Sequence, residues 1–224
     1  MFLAGSSAIA QDYTHFPGAS LDRKTLEAQQ TVEVLYSNKE YKRCLFIYKN
    51  ELASIGDKYA QYMVGFMYLH GQGVEQNRPA ALAWYRLAAE REEQAIIQAR
   101  NSLFDSMSHE EVVESNRIYA ELWRELGDNR LLLDLIKQDL AILNERTGSR
   151  VGRSSISPVT IVGGADGAPA TDAYYDRVRA RMDGRLSYLK TNVEIIDLDL
   201  DEDMAVAKHL EREIREEMAA LDIR

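Results

Sequence analysis

The stretch Tyr59–Arg91, YAQYMVGFMYLHGQGVEQNRPAALAWYRLAAER, decides the fold. Its apolar residues fall in two blocks, Ala60, Val64, Met67 and Tyr68, then Ala81, Trp84, Tyr85, Ala88 and Ala89, and both keep helical spacing. Between them Gly71-Gln72-Gly73-Val74 supplies glycines that admit positive φ and turn the chain sharply. Asn77 suits an N-cap, and Pro79 falls near the first helical position, where its missing N–H does no harm. Small residues, Ala60, Gly65, Ala88 and Ala89, sit where the helices would touch. The spacing predicts an α-hairpin with a tight waist.

On Ala60, Gly65, Met67-Tyr68, Gly71-x-Gly73-Val74, Ala81, Trp84-Tyr85 and Ala88-Ala89 the stretch resembles the Sel1-like repeat, a relative of the tetratricopeptide repeat with a longer internal loop. It departs from that pattern at Val64 (usually leucine), Asn77 (usually aspartate) and Glu92 (commonly glycine). The resemblance implies a protein-binding or scaffolding role.

Outward from this stretch, helical patterning continues in both directions. Upstream, Ser20 can cap a helix carrying Leu21, Leu26, Val32 and Leu35. Asn38 can cap the next, with Tyr41, Cys44, Leu45, Tyr48, Leu52 and Ala53 inward and Gly56 as its stop. Leu45-Phe46-Ile47-Tyr48 and Leu52-Ala53 align with Leu82-Ala83-Trp84-Tyr85 and Ala88-Ala89, a helix-pair period in which Cys44 falls opposite Ala81 and serves packing. Downstream, Gln94–Phe104 continues the pattern. Ser108 and Glu111 form a capping box for a helix through Val112, Ile118, Leu122 and Leu126 to Gly127, and Asp128 caps another through Leu132, Leu135, Ile136, Leu140 and Leu143. The expected architecture is mainly α, a short right-handed α/α solenoid over residues 20–147.

After Gly148 the composition changes to a small, basic linker. Val159-Thr160-Ile161-Val162 reads as a strand, and Thr171 can cap a helix bearing Tyr175, Val178, Met182, Leu186 and Leu189. Residues 193–200 read as a strand because their second half alternates strictly between apolar and acidic side chains, ahead of a last helix with Val206, Leu210, Ile214 and Met218 on one face. The appendix 148–224 is therefore β-α-β-α; in the rival reading, Tyr175 to Leu221 form one long helix that could pair two chains as a coiled coil.

Residues 1–19 form a lead-in whose first ten, MFLAGSSAIA, end in the A-x-A pattern of a signal-peptidase site but lack a basic region and a long apolar core. They read as the remnant of a signal peptide, hence a periplasmic or secreted protein, with a cytoplasmic protein carrying a frayed N-terminus as the alternative. The net charge of −9 argues against a basic nucleic-acid surface, and no apolar run is long enough to span a bilayer. One cysteine, Cys44, excludes an intramolecular disulfide.

An EF-hand begun at Asp197 would need glycine and glutamate where Glu202 and Lys208 stand, and Gly163-Gly164-Ala165-Asp166-Gly167 matches no phosphate-binding spacing. His15, His70, His109 and His209 never reach ligand spacing, and Ser154, Ser155 and Cys44 lack a recognisable base or elbow. No catalytic residue, metal or cofactor is expected. A binding surface is: Tyr59, Met63, Phe66 and His70 form a helical stripe, three of them between the scaffolding positions, and suit contact with a protein or peptide. The expected function is a non-enzymatic adaptor or scaffold in the bacterial envelope, the alternatives being an enzyme with an unrecognised site in the C-terminal segment or a coiled-coil dimer.

Overall fold

The computed structural model describes residues 23–148 and 172–192, and every regular element within them is helical. In chain order they are α1 (Arg23–Ser37), α2 (Tyr41–Ile47), α3 (Lys58–His70), α4 (Arg78–Ala88), α5 (Gln94–Phe104), α6 (His109–Leu126), α7 (Asp128–Gly148) and α8 (Asp172–Asn192). A π turn over Tyr48–Leu52 and a 3-10 turn over Ala53–Ile55 prolong α2, and Ala89–Arg91 prolongs α4. The two expected strands, 159–162 and 193–200, lie outside the described residues, as do Ser20 and Leu21.

Local chemistry accounts for most of the boundaries. The Asp57 carboxylate accepts the Ala60 amide at 3.0 Å to start α3, and the Asn77 side chain accepts the Ala80 amide at 2.8 Å to start α4. Gly71, at φ 64, closes α3 with its amide donating to the Met67 carbonyl. At the start of α6, the Ser108 hydroxyl accepts the Glu111 amide while the Glu111 carboxylate accepts the Ser108 amide at 2.9 Å. The expectation for α2 is corrected: Asn38 does not cap it. Lys39 turns the chain with φ 61, and Glu40 takes the cap position without a side-chain bond. A left-handed residue directly after Asn38 has already redirected the backbone there.

Helix α4 is the hub. One of its faces, Ala83, Trp84 and Leu87, packs with Val64 and Met67 of α3, with Val32, Leu35, Cys44, Tyr48 and Leu52 upstream, and with Tyr119 and Trp123 of α6. Its other face, Ala81, Leu82 and Tyr85, packs with Leu103 of α5. Burial on both faces explains why its sequence is apolar almost all round. Gly65 makes the hairpin waist, because a Cβ there would lie 2.7 Å from the Tyr85 ring and 3.0 Å from the Ala81 carbonyl oxygen.

The buried face of α6 is rotated from the expected one. Ser115, Tyr119 and Trp123 point inward, while Ile118, Leu122 and Leu126 lie on the flank. The Arg86 guanidinium stacks 4.4 Å over the Tyr119 ring and donates to Asn116, which turns the aromatic side of α6 toward α4.

Helices α7 and α8 run antiparallel. Leu132 and Ile136 form a core with Met182, Leu186 and Tyr188, and Asp139, fully buried, accepts from both Arg181 and Arg185. Part of the segment expected as an appendix is thus packed on the last helix of the preceding region.

Candidate protein-interaction surface

The first turn of α3 carries Tyr59, 51% exposed, two residues after the Asp57 cap. From it an aromatic ladder follows the helix: Tyr59 to Tyr62 with ring centroids 6.4 Å apart, Tyr62 to Phe66 at 6.5 Å, and Phe66 to His70 at 4.2 Å. The Tyr62 ring also stacks on Tyr85 of α4 at 5.1 Å. Phe66 leans on the cluster of Ala81, Leu82 and Tyr85 of α4 with Leu103 of α5, leaving part of its ring open, and His70 is exposed at the helix end. Burial, then the neighbouring Tyr62 and Glu33, pushes the Tyr59 hydroxyl above its ordinary pKa, so that hydroxyl is uncharged at neutral pH.

Three of the four expected stripe residues, Tyr59, Phe66 and His70, stand on this ladder. Met63 does not. It is 8% exposed and belongs to the core with Val64 and Met67. Tyr62 takes the place that the sequence reading assigned to Met63. Steps of 4, 3, 4 through Met63 and of 3, 4, 4 through Tyr62 both trace a helical line, and the two residues flank its centre on opposite sides. Periodicity alone does not say which flank faces α4 and α1. The Tyr85 ring decides, by offering Tyr62 a stacking partner.

Below the ladder lies a buried charge cluster that sequence reading missed. Lys58, 1% exposed, donates to the Glu90 carboxylate at 2.6 Å, the Leu87 carbonyl at 2.9 Å and the Gln61 side chain at 3.0 Å, and forms an ion pair with the Asp128 carboxylate at 2.8 Å. Arg91 grips Asp128 with two bonds of 2.8 and 3.0 Å, and the Asp128 amide donates to Glu90. Burial pushes both carboxyls up. At Asp128 the attraction of Lys58 and Arg91 outweighs it and holds the group below its ordinary value, whereas at Glu90 burial wins. Asp128, expected as a helix cap, is therefore the acceptor that ties α7 to the hairpin. The only trace in sequence is a lysine on the inward side of an apolar helix.

Among the described residues no group of His, Cys, Asp and Glu could hold a metal ion. His109 lies exposed on the first turn of α6, and His15 and His209 fall outside the described residues. Cys44 is fully buried with its thiol pushed up to about 11 by burial and its Sγ 3.5 Å from the Val32 carbonyl. No described helix is long and apolar enough to cross a membrane.

The family model of the Sel1 repeat matches residues 58–92. This stretch is a Sel1 repeat. Its first residue, Lys58, is paired with Glu90 in its last turn, so the buried ion pair clasps the two ends of the Sel1 hairpin. Its final residue, Glu92, has φ 57, a left-handed conformation that suits glycine. No solved structure matches the chain.

Proposed function

We propose that this chain is a non-enzymatic adaptor or scaffold that binds a protein or peptide partner through the aromatic ladder of its Sel1 repeat. The carrying observation is that ladder: Tyr59, Tyr62, Phe66 and His70 in ring contact along one helix, each at least partly open to solvent. Aromatic rings held by their neighbours give large contact area at small entropic cost, the chemistry of interface centres. In this reading the helix pairs stack as a short right-handed solenoid over 20–147, with 1–19 as a lead-in and 148–224 as an appendix, and the protein works in the bacterial envelope, a location that the A-x-A pattern at Ala8-Ile9-Ala10 supports.

The double variant Tyr59→Asp with His70→Asp changes two exposed side chains and should leave the melting temperature within a few degrees of wild type. Affinity capture from the native host, with cell fractionation, should then return a partner with the wild type and lose it with the variant. A partner retained by the folded variant would overturn the ladder proposal. Met63→Glu is unsuitable for this purpose, since a charge at that buried position unfolds the hairpin. A periplasmic chain beginning at Gln11 supports export, and an intact Met1 in the cytosolic fraction ends that part of the proposal.

A further inference from the structure

On the far side of the molecule's first helix pair, α2 exposes a face unlike the rest of this acidic chain. Phe46 is 62% exposed, more than any other large apolar side chain among the described residues. At 100° per residue, Lys42, Arg43, Lys49 and Asn50 share its face, all of them exposed, and Lys39 projects just ahead of the helix. Arg43 is paired with Glu40, and Lys49 lies 3.5 Å from the Tyr68 hydroxyl. Lys39 and Lys42 make no ion pair within the described residues. An open phenyl ring ringed by four cations fits an apolar line flanked by acids.

The chain supplies one. Residues 193–224 hold 11 Asp and Glu against 4 Lys and Arg, so most of the net charge of −9 lies there, and the first 192 residues are close to neutral. Within that segment Val206, Leu210, Ile214 and Met218 recur every fourth residue. Asp203, Glu213 and Glu217 fall on the flanks of that line at helical spacing.

Reach permits the contact. Tyr188, near the end of α8, packs on the Leu132 and Ile136 core of α7, and α7 opens at Asp128 beside Lys58, so α8 ends toward the corner where Lys58 follows the continuation of α2. From that corner to Lys39 is roughly 26 Å of helix at 1.5 Å per residue. The eleven residues from Asn192 to Asp203 span up to about 38 Å when extended. A tethered segment also meets the face at a far higher effective concentration than a free partner would.

We propose that the outer face of α2, centred on Phe46 and bounded by Lys39, Lys42, Arg43 and Lys49, is the docking site of the chain's own acidic segment 203–221. The contact covers Phe46 with the Leu210 and Ile214 line and gives Lys39 and Lys42, which make no ion pair within the described residues, acidic partners. It is independent of the ladder on α3.

Carbodiimide cross-linking of the full chain, as an equal mixture of unlabelled and nitrogen-15 protein at low micromolar concentration, tests it. The expected products join Lys39, Lys42 or Lys49 to acids of 199–217 within one isotopic form, and high salt suppresses them. Products of mixed isotope would mean the face joins two copies, and absence of links from these lysines to that segment would mean it does not dock; either result overturns the proposal. As a second measurement, Phe46→Ser with Lys42→Glu alters only exposed positions. Amide exchange over 203–221 should become roughly tenfold faster in that variant with its melting temperature held, and unchanged exchange overturns the proposal as well.

Discussion

Glu92 shows how a single departure from a repeat pattern carries a physical cost. Its backbone is left-handed, φ 57, at the end of the Sel1 hairpin. An L-residue with a Cβ is strained there, so Glu92→Gly should raise stability by about 0.5–1 kcal/mol, read as a higher urea midpoint with an unchanged slope. Lys58 is the opposite case, a charge whose surroundings are built for it. Lys58→Ala leaves the Glu90 and Asp128 carboxylates buried without their shared cation, and should lower stability by about 3–5 kcal/mol in urea unfolding. The deficit should narrow in acid. Asp128 is held below its ordinary 3.8 in the intact protein, so its contribution is present above that value and lost as pH falls through the depressed one. The variant has less of that contribution to lose. Glu90, raised by burial, works in the opposite sense, destabilising as pH rises through its folded value. Cys44, fully buried and pushed up to about 11, should resist iodoacetamide at pH 8 in the folded protein and react once urea unfolds it.

At the scale of the element, the loop Gly71–Val74 does two jobs that a paired substitution separates. Gly71 has φ 64 with no neighbour closer than 3.6 Å to an added Cβ, so Gly71→Ala meets backbone strain alone and should cost about 1 kcal/mol. Gly73 has φ 76, and its Cβ would fall 2.6 Å from the backbone of Tyr41 at the start of α2. Gly73→Ala should therefore cost at least about 2 kcal/mol more, because it also pushes the hairpin off the preceding helix pair. Equal midpoints for the two variants in urea unfolding would refute this division. The waist motif read in the sequence as a turn is in the structure a docking point as well.

Across the whole molecule, two ionic clusters join elements distant in sequence. Lys58, Glu90, Arg91 and Asp128 tie the hairpin to α7, and Asp139 with Arg181 and Arg185 ties α7 to α8. Asp139→Ala leaves two guanidinium groups at that interface without their carboxylate. Tryptic cleavage at Arg177 to Arg185 should accelerate severalfold while residues 58–91 stay protected, which limited proteolysis with mass spectrometry resolves. Loss of protection throughout would instead show that α8 supports the entire stack.

What the sequence alone determined is what local chemistry controls. The hairpin Tyr59–Arg91, the caps at Asn77 and Ser108, and the extents of α5 and α6 could all be read from it, because caps, glycine turns and helical periods act between residues a few positions apart. Which flank of a helix is buried was decided only in the tertiary structure. Met63 and Tyr62 are equally helical neighbours of the stripe until Tyr85 stacks on one of them. Val112 and Ile118 yield to Ser115, Tyr119 and Trp123 once Arg86 lies over the Tyr119 ring. Lys58, Glu90 and Asp128 meet across separations that no period encodes, and only the packed chain, by excluding water around them, makes their charges hold the fold together.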